Sequence, residues 1–197
     1  GSEMCIRDRV CGAAEDAAGV EGGGMSALRV TFGADPGLTG CVATLIDGEP
    51  GPMLDMPTVL VGKRNEVDGE RIQRFIREVR ASHPGADFAA CLEQVGAVRT
   101  EGRQQGGVSM FNFGDGFGAV RTAFACAGVA TIRVYPQVWK RHMGLIGTDK
   151  DAARQLAIRR FPSAAELLKR KKDSGRSDAL LLALWFENTQ LHGLRAA

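Results

Sequence analysis

Four acidic residues occupy positions where a carboxylate needs a reason to be. Glu93 interrupts an apolar stretch, Ala89-Ala90-Cys91-Leu92-Glu93-Gln94-Val95, and a charge buried in such a strand costs several kcal/mol unless it is paired or bound to a metal ion. Asp35 closes the apolar run that begins at Leu28, and Asp178 opens the last helix on the face shared by Leu181, Leu182 and Trp185, which turns it toward the core side. Asp173 stands five residues earlier. Carboxylates without His or Cys partners suit a hard, oxygen-seeking ion such as Mg2+ or Mn2+, and not zinc. Two such ions, about 3.5 to 4 Å apart, are the usual apparatus of phosphodiester hydrolysis: one activates water and the other steadies the leaving oxygen. Each acid also has a plainer reading, as an outward-facing strand residue, an Asp-Pro-Gly turn, a helix first-turn acid or a helix cap.

A phosphodiester substrate is polyanionic, and matching charge is concentrated in one part of the chain. Overall, 25 Lys and Arg against 23 Asp and Glu give a net charge of +2, which argues against a chain that coats polyanions along its whole length. Between Val129 and Arg176, however, twelve basic residues face four acidic ones. They are Arg133, Lys140, Arg141, Lys150, Arg154, Arg159, Arg160, the run Lys169-Arg170-Lys171-Lys172, and Arg176. A basic face beside clustered acids is nuclease-like; the run from Lys169 to Lys172 taken alone reads equally well as solvated surface. Phe111 and Phe113 are candidates to stack on bases, or to pin their segment to the core. His142 is either a phosphate contact or an ordinary surface histidine.

The elements that must position these groups follow from periodicity. With 197 residues and 44% apolar side chains, the chain supports one core. Residues 1–24 lack an apolar period and read as a flexible extension, with Met25 a candidate start; residues 25–190 form one domain and 191–197 a tail. The five cysteines contain no C-x-x-C pair, which argues against a disulfide framework or zinc site and fits a reducing, cytoplasmic setting. The longest apolar run, Ala179 to Phe186, is too short to span a bilayer, and no leader opens the chain.

Leu28 to Ala34 and Gly40 to Ile46 read as strands joined as a hairpin through Asp35-Pro36-Gly37, with a third strand within Met53 to Val61. Ile72, Phe75, Ile76 and Val79 fall on one helix face, stopped by His83-Pro84-Gly85. Phe88 to Val95 is a fourth strand, and Gly96 to Gly116 reads as a mobile functional loop. Phe117, Val120, Phe124 and Ala127 mark a second helix ended by Gly128, and Val129 to Val134 a fifth strand. Thr148-x-x-Asp151 and Ser163-x-x-Glu166 read as capping boxes of two helices, and a last helix covers about Arg176 to Asn188. The order predicts an α/β fold: a five-stranded mixed sheet with helices on both faces.

Gly33-Ala34-Asp35-Pro36-Gly37-Leu38-Thr39-Gly40, Leu92-Glu93-Gln94-Val95 and Lys172-Asp173-Ser174-Gly175-Arg176-Ser177-Asp178-Ala179-Leu180-Leu181-Leu182-Ala183, with Tyr135-Pro136-Gln137-Val138-Trp139-Lys140 between the last two, resemble the RuvC-type Holliday junction resolvases, particularly their phage-borne branch. The resemblance covers roughly Leu28 to Glu187 and implies a ribonuclease H-like fold. It implies that Asp35 bridges two Mg2+ ions, with Mn2+ as a substitute, that Glu93 binds one of them, and that Asp178 is the acid opening the last helix. Bacterial members place two acids three residues apart here. In this chain Gly175 holds that spacing, so Asp173 is the candidate fourth ligand, and Ser174 stands where the family often has a His. The implied activity is hydrolysis of DNA four-way junctions by paired nicks, leaving 5′-phosphate and 3′-hydroxyl ends. A homodimer supplies the two sites, and no protein cofactor is needed. Lys140, Arg141, Lys150, Arg154, Lys169, Arg170, Lys171, Lys172, Arg176, Phe111 and Phe113 are the expected DNA contacts, and the loop from Gly96 to Gly107 fits the part that faces the junction centre.

The competing readings are a broader ribonuclease H-like nuclease on branched DNA or RNA/DNA hybrids, and a non-catalytic junction-binding scaffold. A sugar-kinase or actin-type ATPase opens on a similar Asp-x-Gly hairpin, but the chain leaves no room for the second lobe of such a protein.

Overall fold

The computed structural model describes residues 27–94, 96 and 107–191. Its main sheet begins as a meander: β1 (Arg29–Asp35), β2 (Cys41–Ile46) and β3 (Glu49–Asp55) run antiparallel. β6 (Asp87–Glu93) and β7 (Ala130–Val134) then add parallel to β1, giving the order β3-β2-β1-β6-β7. A separate two-stranded hairpin, β4 (Thr58–Val61) and β5 (Arg64–Val67), links β3 to the first helix. The five-stranded mixed sheet is the one expected.

Period-2 alternation divides the apolar residues between two layers. Val30, Phe32 and Ala34 of β1 and Ala90 and Leu92 of β6 pack with α1 (Gly69–Ser82) and α2 (Gly107–Cys126). On α1 the buried residues are Ile72, Phe75, Ile76 and Val79, the stripe expected from their spacing, and burying each contributes roughly 1.5–3 kcal/mol. Asp68 caps that helix, its Oδ1 accepting the Arg71 N–H at 2.9 Å. Phe32 meets Phe124 of α2 edge-on, with ring centroids 5.5 Å apart.

The opposite face carries Cys41, Ala43, Leu45 and Cys91, covered by α5 (Ser174–Phe186) with α3 (Pro136–His142) and α4 (Ala152–Arg160) beside it. Gly33 allows α5 to lie directly on β1, because a Cβ there would collide with the Ala179 carbonyl and stand 2.8 Å from the Ala183 nitrogen. Gly33, Asp35, Cys91 and Glu93 share this face by alternation, so both acids turn toward α5.

Several expectations are corrected. The third strand begins at Glu49, not Met53, because Asp47 and Gly48 both take positive φ and close a two-residue turn directly after β2, the geometry an Asp-Gly pair favours. Pro50 and Pro52 are tolerated because β3 is an edge strand. Thr58 to Val67 is a hairpin of its own, turned at Gly62 with φ 63°. The segment expected to remain loop up to Gly116 is helical from Gly107; Met110, Phe113, Phe117, Val120 and Phe124 continue one three-four spacing, although the first turns are exposed.

Neither expected capping box forms. Thr148 Oγ1 donates to the Leu145 carbonyl at 2.8 Å, and Asp151 is taken by Arg154. Pro162–Leu168 is a 3-10 helix without a side-chain cap, and Glu166 pairs with Lys169 instead. The extension read over residues 1–24, most of the tail read over 191–197, and residues 97–106 of the junction-facing loop lie outside the described residues. Among the described residues no helix is long and apolar enough to cross a membrane.

Candidate active site

Three of the four acids meet at one end of the sheet. Asp35 ends β1, Glu93 ends the neighbouring parallel strand β6, and Asp178 lies on the first turns of α5, which crosses that face. Asp35 leads into a tight turn in which its Oδ1 accepts the Gly37 N–H at 3.1 Å and Gly40 N–H donates to the Gly37 carbonyl at 2.8 Å. Gly175 lets the start of α5 press on that turn; a Cβ there would collide with the Thr39 carbonyl and stand 2.9 Å from Gly40 Cα.

Electrostatics couple the three carboxylates. Burial raises the Asp35 carboxyl above its ordinary range, and the Asp178 charge adds to the rise against the Gly37 hydrogen bond. Burial pushes Glu93 up to about 7, reinforced by Asp35 and opposed by Lys140 and Trp139. Lys140 enters as counter-charge, with Nζ 3.0 Å from Asp178 Oδ2. Burial works against its ammonium, but Asp178, Glu93 and Asp35 together raise its pKa on balance. Trp139, one residue earlier on α3, donates its indole N–H to Glu93 Oε2 at 2.8 Å.

The donor set fits a hard divalent cation: three carboxylates, all oxygen, two of them pushed toward protonation by burial, with the neighbouring carboxylate charges adding to the rise. The side chains are not already gathered round a point; among the described residues no three acidic, imidazole or thiol groups form a ready-made metal cage.

Asp173 is not brought to the other three. Its carboxylate is 3% exposed, accepts from Arg170 N–H at 2.8 Å and from the Arg170 guanidinium at 2.8 Å, and is held below the usual carboxylate range chiefly by that guanidinium. Five residues before Asp178 it sits ahead of the first turn of α5, and Arg170 closes a local turn around it.

The basic residues separate in the same way. Lys140 is inside the site, and Lys150 joins it with Thr148, Ser174 and Asp178 around a cleft of about 380 Å³. Arg141, Lys169, Lys171 and Lys172 are exposed. Arg154 is instead a buried strut: Asp151 takes two of its nitrogens at 2.6 Å, and the Leu168 and Lys169 carbonyls accept from Nη1. Arg176 clamps the start of α5 to the end of β3 through paired 2.6 Å hydrogen bonds to Asp55 and one to the Leu167 carbonyl. Phe111 and Phe113 stand exposed on the first turns of α2, with Phe113 lining a hollow of about 690 Å³ beside Pro36 and Leu38. His142 is exposed. Cys41 and Cys91 are buried, their thiols pushed up by burial, and Cys126 is exposed; none is disulfide-bonded.

Sequence reasoning gives Trp139 and Asp55 no role. The first is legible in principle, since a Trp beside Lys140 at the site's edge needs a hydrogen-bond acceptor if it is buried. The second is not, because Asp55 and Arg176 lie 121 residues apart.

No family model matches the chain. A 48-residue stretch is 48% identical to the Holliday junction resolvase MOC1, chloroplastic, of Chlamydomonas reinhardtii, spanning 24% of this chain and 5% of that protein's length. Among solved structures, Thermus thermophilus RuvC in complex with a Holliday junction substrate superposes with a TM-score of 0.53 at 19% identity, covering 84% of this chain and 96% of that one. A second Thermus thermophilus RuvC structure gives a TM-score of 0.47 at 19% identity, covering 83% and 96%. The sheet with its two helical layers is the ribonuclease H-like fold of RuvC. The resemblance to RuvC-type resolvases carried by the sequence motifs is borne out.

Proposed function

We propose that this protein is a divalent-metal-dependent endonuclease that resolves DNA four-way junctions by paired phosphodiester hydrolysis. The observation that carries the reading is the convergence of Asp35, Glu93 and Asp178 at the shared end of two parallel strands beneath α5. An acid cluster of this kind is costly to fold unless a cation offsets it, which supports catalysis over a scaffold that only binds.

In this reading Asp35, Glu93 and Asp178 hold Mg2+ or Mn2+, two ions per site, and Asp173 is left to Arg170. When bound there, such ions would supply a lowered pKa for an attacking water and charge stabilisation for the leaving oxygen. Lys140 balances the carboxylates and, with Lys150, meets the phosphate backbone beside them. Arg141 and the run from Lys169 to Lys172 extend that contact along a DNA arm, and Phe111 and Phe113 meet unstacked bases. A homodimer presents two such sites to two strands, working in the cytoplasm of a bacterial or phage-infected cell.

The test is cleavage of a labelled four-way junction beside matched linear duplex, single strand and RNA/DNA hybrid, in Mg2+, Mn2+ or EDTA. Metal-dependent nicking of the junction alone is expected. Equal cutting of hybrid or duplex makes the protein a broader nuclease, and tight junction binding without cutting in any metal makes it a binding scaffold.

A further inference from the structure

α3 touches two of the three carboxylates with consecutive residues. Trp139 donates to Glu93 at 2.8 Å, and Lys140 donates to Asp178 at 3.0 Å. Successive helix positions diverge by about 100°, so one short helix reaches both sides of the cluster. Its placement is fixed by β7, whose Val134 pairs with Glu93 in the sheet, and by Pro136 at its first position, one residue after Tyr135.

Trp139 is fully buried, packed in the core layer beneath α5, with the Lys140 ammonium 5.0 Å from its ring centroid. Its ring therefore has one orientation, and its N–H has to meet an acceptor or remain unpaired in the core. That acceptor is one oxygen of Glu93. A Glu side chain turns about three torsions, and a donor on a rigid ring fixes how its carboxylate is presented, as outer-sphere partners do for metal ligands generally.

We infer that Trp139 is a positioning residue for divalent-ion binding, its indole N–H holding Glu93 Oε2 so that the carboxylate meets the ion in one orientation. This rests on the reading of Asp35, Glu93 and Asp178 as metal ligands. Trp139 touches neither substrate nor ion; it acts through Glu93.

The experiment is calorimetric titration of the DNA-free protein with Mn2+, comparing the wild type with Trp139→Phe, which keeps a buried aromatic ring and removes the donor. Affinity falls about 10- to 100-fold, and cleavage recovers to near wild-type rate at saturating Mn2+, a shift in metal requirement and not in turnover. Equal Mn2+ affinity in the two proteins overturns the inference alone. Wild-type titration heat that is absent, or that survives in Asp35→Asn, overturns the metal-site reading and the inference with it. Should Trp139→Phe fail to fold, the Trp185→Phe protein decides, since Trp139 is then the only indole of the two in the chain. Its emission shifts on saturation with Mg2+, and an unmoved spectrum with bound Mg2+ overturns the inference.

Discussion

Asp35 follows Ala34 and Glu93 follows Leu92, the last partners paired across β1 and β6, so the two carboxylates leave the same end of two parallel strands on the same face. The arrangement forces like charges together in a half-buried place: burial raises the pKa of both, the Asp35 charge adds to the rise at Glu93, and the Asp178 charge adds to both. Nothing in the packing of the sheet requires acids at these positions; apolar residues would satisfy the layer at lower cost.

Neutral isosteres separate chemistry from binding. Asp35→Asn, Glu93→Gln and Asp178→Asn each reduce single-turnover junction cleavage by at least about a hundredfold, since losing a metal ligand removes several kcal/mol of transition-state stabilisation. Junction affinity in a gel shift stays the same or tightens, because repulsion of phosphate falls. Near-full cleavage by any of the three removes that residue from the site.

The raised Glu93 pKa gives a pH dependence of stability with a definite sign. The folded protein holds this proton up to about 7, whereas the unfolded chain releases it near 4.5. Between those values the folded state binds more protons, so stability of the ion-free protein declines as pH rises and stays reduced above the folded value. Melting temperature in EDTA therefore drops from pH 5 to pH 8, and Glu93→Gln flattens the drop. An equally steep drop in the variant assigns it to other groups.

Gly33→Ala tests how closely α5 lies on the sheet. The added Cβ meets backbone of Ala179 and Ala183, which cannot rotate away, so a loss of about 3 kcal/mol or more is expected. Gly114→Ala on α2 meets open space and gains up to about 1 kcal/mol from helix propensity. Urea midpoints check both, and a tolerated Gly33→Ala contradicts the packing described.

Basic residues that look alike in sequence divide by partner. Neutralising Lys171 and Lys172, both exposed, lowers the slope of log affinity against log salt by about one unit for each phosphate deprived of its cation. Arg176→Ala leaves that slope unchanged and lowers the melting temperature, because its guanidinium is engaged by Asp55 and the Leu167 carbonyl. An unchanged slope in the lysine variants returns the run to solvated surface.

Much of the fold is legible where one residue type dominates one face. The α1 stripe, the β1–β2 hairpin and the apolar strand around Glu93 follow from periodicity that local sequence carries in full. The start of β3 after the Asp47-Gly48 turn is hidden because its two prolines mimic a loop, which only its edge position permits. The first turns of α2 resemble loop because their glycines mask a three-four spacing that continues past the buried part of the helix. Of the site, the acids stand out by being charged in apolar surroundings. What distinguishes Asp173 from Asp178 is Arg170, which closes a turn on it from three residues away, and what distinguishes Arg176 from Lys172 is Asp55, a tertiary contact across 121 residues.

Resolution by paired nicks is tested most directly on a supercoiled plasmid that extrudes a cruciform, because two nicks within one encounter yield linear DNA and a single nick yields only an open circle. With Mg2+, linear product forms from the first turnover onward and is absent with Asp35→Asn. Open circles alone, or linear product from the Asp35→Asn protein, would contradict the account.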